Sequence, residues 1–111
     1  MGNFLVGIDI VDIKNLEKRL NRSKLFIEKI LTIDEITGKK IKSMAGKIAA
    51  KEAIIKTGYI THGQWKKIKI MSSPSGKPIV LNGNGEEIST LEISISHTED
   101  TAIAVAIYEK N

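Results

Sequence analysis

Two neighbouring stretches near the end of the chain alternate between apolar and polar residues, and they constrain the fold more than any other feature. They are TLEISISHT (90–98) and TAIAVAIYE (101–109), with EDT at their junction. Because successive side chains of a strand point to opposite faces, this pattern predicts two strands joined as a hairpin. The sheet in this part of the protein is therefore expected to be antiparallel.

The N-terminal half is predicted to begin with a strand and to continue in helices. FLVGIDI (4–10) is rich in branched and aliphatic residues, which favours a strand. Apolar residues then recur at helical spacing through 11–21, and this predicts a first helix. Ser23 is a candidate cap for a second helix. The buried stripe of that helix is expected to contain Leu25, Phe26, Ile30 and Leu31.

A third helix is predicted over MAGKIAAKEAIIKTG (44–58), with Ser43 as a candidate cap and Gly58 at its end. Small residues dominate one side of this helix, so it can pack closely against a strand or another helix. The segment before it, 32–40, is predicted to be a short turn or helical piece that Gly38 ends.

The second half of the chain is dominated by predicted strands. KKIKIMS (66–72) alternates strictly, and a turn over 73–78 separates it from a short strand, IVL (79–81). A second turn, NGNG (82–85), follows. One strand, three helices and then antiparallel strands together predict an α+β fold with a single domain over 1–111.

The composition limits the classes of function. The chain has 111 residues and a formal net charge of +4, which favours an anionic partner, although lysine-rich solvated helix faces would give the same charge. It has no cysteine, which excludes disulfides and thiolate metal sites. Aromatic residues make up only 5%, few for a surface that stacks nucleic-acid bases. We expect a cytoplasmic protein, because the start does not read as a secretion signal and no apolar run reaches the ~20 residues of a membrane span.

Two acids at the end of the first strand are the first candidates for chemistry. A carboxylate at Asp9, where a strand gives way to a helix, is well placed to hold a hard cation. The alternative is that Asp12 caps the first helix while Asp9 is merely exposed. The two acids cannot easily share one role, since residues three apart in a continuing strand face opposite ways.

The third helix carries a second group of candidates. Glu52 lies one turn before Lys56, and Lys47 lies one turn before Lys51 on a neighbouring face. One interpretation is an ordinary helix surface with a Glu52–Lys56 pair worth ~0.2–0.5 kcal/mol. The other is a metal-binding carboxylate ringed by ammonium groups that bind phosphate.

His97, at the end of the alternating run, is the third candidate. It shares the face of Ile93 and Ile95 if the strand is regular to its end. It is either a half-buried histidine bonded to a carbonyl or a histidine at the sheet edge that meets a ligand phosphate. A nucleophilic pair of Ser96 with His97 is disfavoured, because neighbouring strand residues point to opposite faces and no nucleophile-elbow motif is present.

Four stretches of the chain, taken in order, carry a family resemblance. They are GIDIVDI (7–13), AGKIAAKEAIIK (45–56), GKP (76–78) and SISHT (94–98). Together they resemble the holo-acyl-carrier-protein synthase family, the short trimeric class of 4′-phosphopantetheinyl transferases, nearly end to end. The resemblance implies the 4′-phosphopantetheinyl transferase fold and a homotrimer with active sites between subunits. Coenzyme A and an apo-acyl carrier protein are the implied partners, with no nucleic acid and no membrane.

The same resemblance implies a reaction and the residues that catalyse it. A serine hydroxyl of the apo carrier attacks the β-phosphate of coenzyme A, the 4′-phosphopantetheine arm moves to the serine, and adenosine 3′,5′-bisphosphate leaves, in support of fatty acid biosynthesis. Asp9 and Glu52 match the family's carboxylates for Mg²⁺. Lys56 adds positive charge at the transition state, and either Glu52 or a metal-bound water accepts the serine proton.

Other matched positions are implied to bind coenzyme A or the carrier. Lys47 and Lys56 match basic positions that contact coenzyme A phosphates. His97, with Thr98 beside it, matches the histidine that approaches the 3′-phosphate. Phe26 is either an apolar contact of the carrier or part of the core. The basic residues expected to receive the acidic carrier protein are Lys14, Arg19, Arg22 and Lys24.

Some segments depart from the family pattern. The loop TGYITHGQW (57–65) replaces a glycine-rich loop that helps to hold adenine, and nothing in its spacing assigns a role to His62, Tyr59 or Trp65. The segment between the second and third helices is also shorter than is typical. Two alternatives therefore stay open: a small basic RNA-binding domain without catalysis, and a family member that has lost activity.

Overall fold

The computed structural model describes residues 2–111 as five strands and four helices. Within these residues, no helix combines the length and apolar character needed to cross a membrane. The elements in chain order are β1 (Asn3–Asp12), α1 (Ile13–Arg22), α2 (Leu25–Ile30), α3 (Ile33–Ile36), α4 (Ile41–Thr57), a 3₁₀ turn (Trp65–Lys67), β2 (Lys69–Ser72), β3 (Pro78–Leu81), β4 (Leu91–His97) and β5 (Thr101–Lys110).

All strand pairs are antiparallel, so the predicted α+β class is confirmed. The main sheet has the order β1-β5-β4, and β2 pairs with β3 in a separate two-stranded sheet. The predicted hairpin is β4 and β5, in which His97 lies opposite Ala102. The first strand pairs along the other edge of β5, where Asp9 lies opposite Ala104. Asp9 and His97 are therefore on opposite edge strands of one sheet.

Helix α4 packs directly on one face of the main sheet, as its small residues predict. A β-carbon at Gly46 would lie 2.8 Å from Cγ2 of Ile95 on β4. A β-carbon at Gly7 on β1 would overlap the backbone carbonyl of Ala53. The helix thus crosses the sheet from β4 near its N-terminal half to β1 near its C-terminal half. Glycine is required at Gly7, where a side chain would overlap the helix backbone, whereas a larger residue at Gly46 would have to displace the Ile95 side chain.

The other face of the main sheet is apolar and exposed. Its residues on β1 are Phe4, Val6, Ile8 and Ile10, which are 54–65% exposed. Those residues pair across the register with exposed residues of β5, such as Ile10 with Ile103 and Val6 with Ile107. We call this surface the outer sheet face. An apolar patch that extends over two strands is unusual for a free protein surface.

The boundaries of the first two helices differ from the predictions. Strand β1 continues to Asp12, whose carboxylate accepts a hydrogen bond from the backbone N–H of Asn15 (3.0 Å) and caps α1. Helix α1 therefore begins at Ile13 rather than at residue 11. The N-cap of α2 is Lys24, while the Ser23 hydroxyl accepts a hydrogen bond from the N–H of Leu25 (3.2 Å).

The predicted buried stripe of the second helix is partly wrong. Leu25 is 69% exposed, and Phe26 is only half-buried. The buried residues are Ile27, Ile30 and Leu31. Helix α2 has only six residues, so its single buried stripe contains two positions three apart, and Leu25 in its first turn falls on the solvent side.

The boundaries of α4 and β2 also differ in part from the predictions. Helix α4 begins at Ile41 after Lys40 without a side-chain cap, so Ser43 lies inside its first turn and is not the cap. Its predicted end is confirmed, because Gly58 adopts φ 86° and closes the helix. The predicted strand over 66–72 is shorter, since a 3₁₀ turn occupies its beginning and β2 starts only at Lys69.

Candidate active site

Asp9 and Lys56 meet where β1 passes under the last turns of α4. Asp9 is two residues after Gly7 and therefore lies on the same face of the strand, towards the helix. The Nζ atom of Lys56 lies 3.3 Å from Oδ1 of Asp9 and donates a 2.8 Å hydrogen bond to the carbonyl of Ile8. The Lys56 side chain is 55% exposed, so its ammonium group remains open to a ligand.

Glu52 lies one helical turn before Lys56 on the same side of α4. It is half-buried, and its Oε1 accepts a 3.2 Å hydrogen bond from Nε1 of Trp65. Lys56 pairs with Asp9, and no Glu52–Lys56 ion pair forms among the described residues, so the interpretation of an ordinary surface pair is wrong. Two carboxylates and one ammonium group thus border one short stretch of α4. We call Asp9, Glu52 and Lys56 the carboxylate group.

A basic cavity of about 540 Å³ opens beside the N-terminal half of α4. Ile95, the turn residue Gly76, Pro78 at the start of β3 and part of β2 form other parts of its wall. Its basic lining residues are Lys39, Lys40, Lys42, Lys47 and His97. Several positive groups around one concave surface favour an anionic ligand. We call this surface the basic cavity.

Lys47 is the most buried cation of this cavity, with 7% of its surface exposed. Its Nζ donates a 3.2 Å hydrogen bond to the backbone carbonyl of Glu35. Burial lowers the pKa of Lys47 below its usual value, the nearby charge of Lys39 lowers it further, and the Glu35 carboxylate opposes both. Lys47 therefore loses its charge at a lower pH than an exposed lysine.

His97 is exposed at the end of β4 and lines the basic cavity together with Ile95. The predicted shared face of these two residues is confirmed, while the alternative of a half-buried histidine is wrong. The Thr98 hydroxyl accepts hydrogen bonds from the backbone N–H groups of Asp100 (3.3 Å) and Thr101 (3.2 Å). Thr98 therefore shapes the β4–β5 turn and is not among the cavity-lining residues.

The carboxylate group and the basic cavity lie on different sides of α4. Each helical residue turns about 100° from the one before it. Lys47, the most buried cation of the cavity, therefore lies about 140° around the helix from Glu52 and about 180° from Lys56. The supporting strands differ too, because β1 carries Asp9 and β4 carries His97. The helix thus stands between the two groups within one chain.

Comparison with known proteins identifies the family. The sequence model of the 4′-phosphopantetheinyl transferase superfamily matches residues 5–106. A holo-[acyl-carrier-protein] synthase of Geobacillus sp. (strain WCH70) is 37% identical over 115 residues, which cover 95% of this chain and 95% of that protein. The chain belongs to this superfamily and to its holo-[acyl-carrier-protein] synthase family.

Solved structures of the synthase family have the same fold. The Helicobacter pylori enzyme in complex with coenzyme A superposes with a TM-score of 0.77 at 36% identity and covers 92% of this chain and 97% of that one. The Bacillus anthracis enzyme in complex with CoA (3′,5′-ADP) gives 0.78 at 32% identity, with 96% of each chain covered.

The four residues predicted to receive the carrier are all exposed, on α1 and the turn after it. Lys14 forms an open ion pair with Asp100 at 3.5 Å. The guanidinium carbon of Arg19 lies 3.5 Å from the centre of the Phe26 ring. A second cavity of about 230 Å³ is lined by both of these residues, by Asp12 and by the end of β1 just after Asp9. Phe26 accordingly both packs on the core and faces this cavity.

Lys51 and Glu35 form a buried ion pair that the sequence did not predict. Nζ of Lys51 lies 2.7 Å from Oε1 of Glu35 with both side chains fully buried, and it also donates to the carbonyl of Ile30 (2.8 Å). The placement of Lys51 among phosphate-binding ammonium groups is therefore wrong. One sequence signal did indicate a structural role for Glu35. Thr32 and Glu35 have the three-residue spacing of a capping box, and the structure contains this capping box.

Proposed function

We propose that this protein is a Mg²⁺-dependent holo-[acyl-carrier-protein] synthase. It transfers the 4′-phosphopantetheine arm of coenzyme A to a serine of an apo-acyl carrier protein, releases adenosine 3′,5′-bisphosphate, and supports fatty acid biosynthesis in the cytoplasm. The observation that carries the proposal is the meeting of Asp9 and Lys56 beside Glu52, in a chain of the synthase family.

The donor set of the carboxylate group fits a magnesium ion. Within residues 2–111, no three or more His, Cys, Asp or Glu side chains are grouped to hold a metal ion by themselves. Mg²⁺ typically keeps several waters and binds one or two carboxylates together with substrate phosphates. Asp9 and Glu52 would hold such an ion. When bound, it would neutralise negative charge on the pyrophosphate of coenzyme A.

The chain's own residues account for the remaining steps. The serine oxygen attacks the β-phosphorus, the bond from that phosphorus to the bridging oxygen breaks, and adenosine 3′,5′-bisphosphate leaves. The exposed ammonium of Lys56 stabilises the charge that spreads over the phosphoryl oxygens. Glu52 is the proposed acceptor of the serine proton. No side chain acts as a covalent nucleophile, which is consistent with a chain that has no cysteine.

The basic cavity is the proposed site for the 3′-phosphate end of coenzyme A. Lys47 and His97 line the same cavity from α4 and β4. An ammonium group of low exposure gives a stronger local field than a solvated one, because water screens it less. Thr98 contributes by fixing the turn that follows His97.

The position of the two groups on different sides of α4 supports active sites between subunits, which we propose to be those of a homotrimer. One coenzyme A molecule can reach both groups when the carboxylate group of one chain adjoins the basic cavity of another. The outer sheet face supplies an apolar surface for such an assembly, since its β1 residues are more than half exposed in the single chain. Light scattering of active protein tests this arrangement, and an active monomer would contradict it.

The exposed basic residues of α1 and of the turn after it are the proposed docking surface for the carrier. Lys14, Arg19, Arg22 and Lys24 face solvent, and the cavity at Arg19 and Phe26 connects this surface to the strand that carries Asp9. Complementary charges in solvent mainly speed association and are screened by salt. Raised salt is therefore expected to increase the KM for the carrier.

The deciding experiment is mass spectrometry of an apo-acyl carrier protein incubated with this protein, coenzyme A and Mg²⁺. We expect the carrier mass to increase by one phosphopantetheine arm, and we expect no increase when coenzyme A is omitted. An unchanged carrier mass would contradict the proposal. A thermal shift measured in parallel with coenzyme A plus Mg²⁺ and with a short RNA separates an inactive family member from an RNA-binding domain.

A further inference from the structure

The single tryptophan of the chain contacts a residue of the carboxylate group. Nε1 of Trp65 donates a 3.2 Å hydrogen bond to Oε1 of Glu52. Across residues 2–111, this is the one hydrogen bond that the Glu52 side chain makes. Trp65 belongs to the 3₁₀ turn after α4 and ends the loop 57–65 that departs from the family pattern, so the contact joins the helix to this loop.

The indole ring is held firmly enough to orient its partner. Its turn is closed by the backbone N–H of Lys67, which donates to the carbonyl of Gln64 at 3.0 Å, and the Gln64 side chain in turn accepts from the N–H of Thr61 at 3.0 Å. The ring packs against the apolar cluster under α1 and α2, and its edge meets the ring of His62 with centroids 6.0 Å apart. A donor fixed on several sides can restrict the rotation of a glutamate side chain.

We propose that Trp65 is a positioning residue for Glu52. By donating to Oε1 it restrains the plane of the carboxylate, and it leaves Oε2, which has no hydrogen-bond partner among the described residues, for the metal ion. Hydrogen bonds to metal-binding carboxylates set their orientation, and removing such a bond commonly lowers metal affinity or activity 10–100-fold. This role rests on the proposed function, because it assumes that Glu52 binds Mg²⁺ together with coenzyme A.

The hydrogen bond itself can be tested without any turnover. With one tryptophan, the ¹⁵N-labelled protein gives a single indole N–H signal in a proton–nitrogen NMR spectrum. We expect this signal to move in Glu52→Gln without ligand, since the charged acceptor becomes neutral. In the wild type it should move again when Mg²⁺ is added to the coenzyme A complex. A signal that is unchanged by both would overturn the proposal, whatever the activity of the protein.

The positioning role is tested with Trp65→Phe, which keeps an aromatic ring and removes the N–H donor. We expect the Mg²⁺ concentration for half-saturation, measured by calorimetry in the presence of coenzyme A, to rise about 10-fold. The KM for coenzyme A should change much less than the Mg²⁺ requirement. An unchanged Mg²⁺ affinity in a folded Trp65→Phe protein would overturn the role.

Tyr59→Phe is the matched control in the same segment. The Tyr59 ring packs edge-on against Tyr108 with centroids 5.0 Å apart, within the other apolar cluster. This variant should keep wild-type Mg²⁺ affinity and the wild-type indole signal. If the wild type transfers no phosphopantetheine, the proposed function fails, but the NMR comparison of wild type with Glu52→Gln still decides whether Trp65 binds Glu52.

Discussion

Helix α4 carries two lysine–carboxylate pairs, five residues apart, that differ in almost every physical respect. Lys51 lies 2.7 Å from Glu35, and both side chains are fully buried. Lys56 lies 3.3 Å from Asp9, with 55% and 20% of the two side chains exposed. In the sequence, Lys51 and Lys56 are simply two of the four lysines of α4. In the structure, Lys51 is buried inside the fold and Lys56 is accessible to a ligand.

The buried pair joins three parts of the chain. Besides Lys51, the Glu35 carboxylate accepts hydrogen bonds from the backbone N–H groups of Thr32 and Ile70, both at 2.8 Å. Within residues 2–111, no buried side-chain nitrogen or oxygen lacks a partner. Because both charged groups are fully hydrogen-bonded, the pair fixes the relative positions of the elements that it joins. Burial disfavours the charged form of Lys51 and lowers its pKa, and the nearby Glu35 carboxylate opposes that shift.

The largest expected effect is on stability, from breaking the buried pair. Lys51→Met leaves the Glu35 carboxylate buried without its counter-charge, so we expect the free energy of unfolding to fall by about 3–5 kcal/mol. Urea unfolding at one fixed protein concentration measures this loss. A Lys51→Met protein within ~1 kcal/mol of the wild type would contradict the structural role assigned to the pair.

The second-largest expected effect is on catalysis, from substitutions of Asp9 in the exposed pair and of the neighbouring Glu52. Asp9→Asn and Glu52→Gln keep shape but remove the charges proposed to hold Mg²⁺. We expect transfer to the carrier to fall on the order of 100-fold, or about 2.7 kcal/mol in activation free energy, while the unfolding midpoint stays close to wild type. Steady-state assays at several Mg²⁺ concentrations measure this loss. Full transfer by either folded variant at saturating Mg²⁺ would remove the basis for their roles.

Local signals allowed much of the fold to be predicted. The β4–β5 hairpin follows from alternation, the end of α4 follows from Gly58, and the cap of α1 is the carboxylate of Asp12, one of the two readings the sequence offered. Each depends on residues within a few positions of one another. Leu25 shows the limit: a six-residue helix has too few positions for periodicity to decide which side is buried.

The parts of the site that were not predicted depend on contacts between distant elements. Glu35 reaches Lys51 sixteen positions away, and Trp65 reaches Glu52 thirteen positions away. Helical spacing places Lys47 and Lys51 on one neighbouring face but cannot show that α3 and β2 cover Lys51. The division of the candidate site between two sides of α4 likewise depends on sheet order, since β1 and β4 are joined through the last strand.

Lys47, with 7% of its surface exposed, lies between the fully buried Lys51 and the open Lys56 and should show an intermediate effect. Because burial lowers its pKa, its positive charge is lost at a lower pH than that of an exposed lysine. Affinity for adenosine 3′,5′-bisphosphate should therefore weaken as the pH rises through that lowered pKa, by up to about tenfold.

Lys47→Arg provides the control for that titration, since arginine keeps its charge throughout the accessible range. Calorimetry across alkaline pH should show a flatter dependence for Lys47→Arg than for the wild type. Parallel curves for the two proteins would mean that Lys47 does not face the anion.

The smallest expected effect is the contribution of the exposed pair to stability. Lys56→Met keeps the aliphatic stem that passes beside Gly7, and it removes an ion pair that solvent already screens. Exposed pairs typically contribute ~0–1 kcal/mol, so the variant should unfold within that range of wild type, and high salt should reduce the difference further. Urea unfolding of Lys56→Met, Lys51→Met and the wild type under the same conditions measures this difference in stability.

If Lys56→Met lost as much stability as Lys51→Met, burial would not explain the difference between the two lysines. If it lost little, then any fall in its transfer rate could be assigned to the missing ammonium group rather than to a weakened fold.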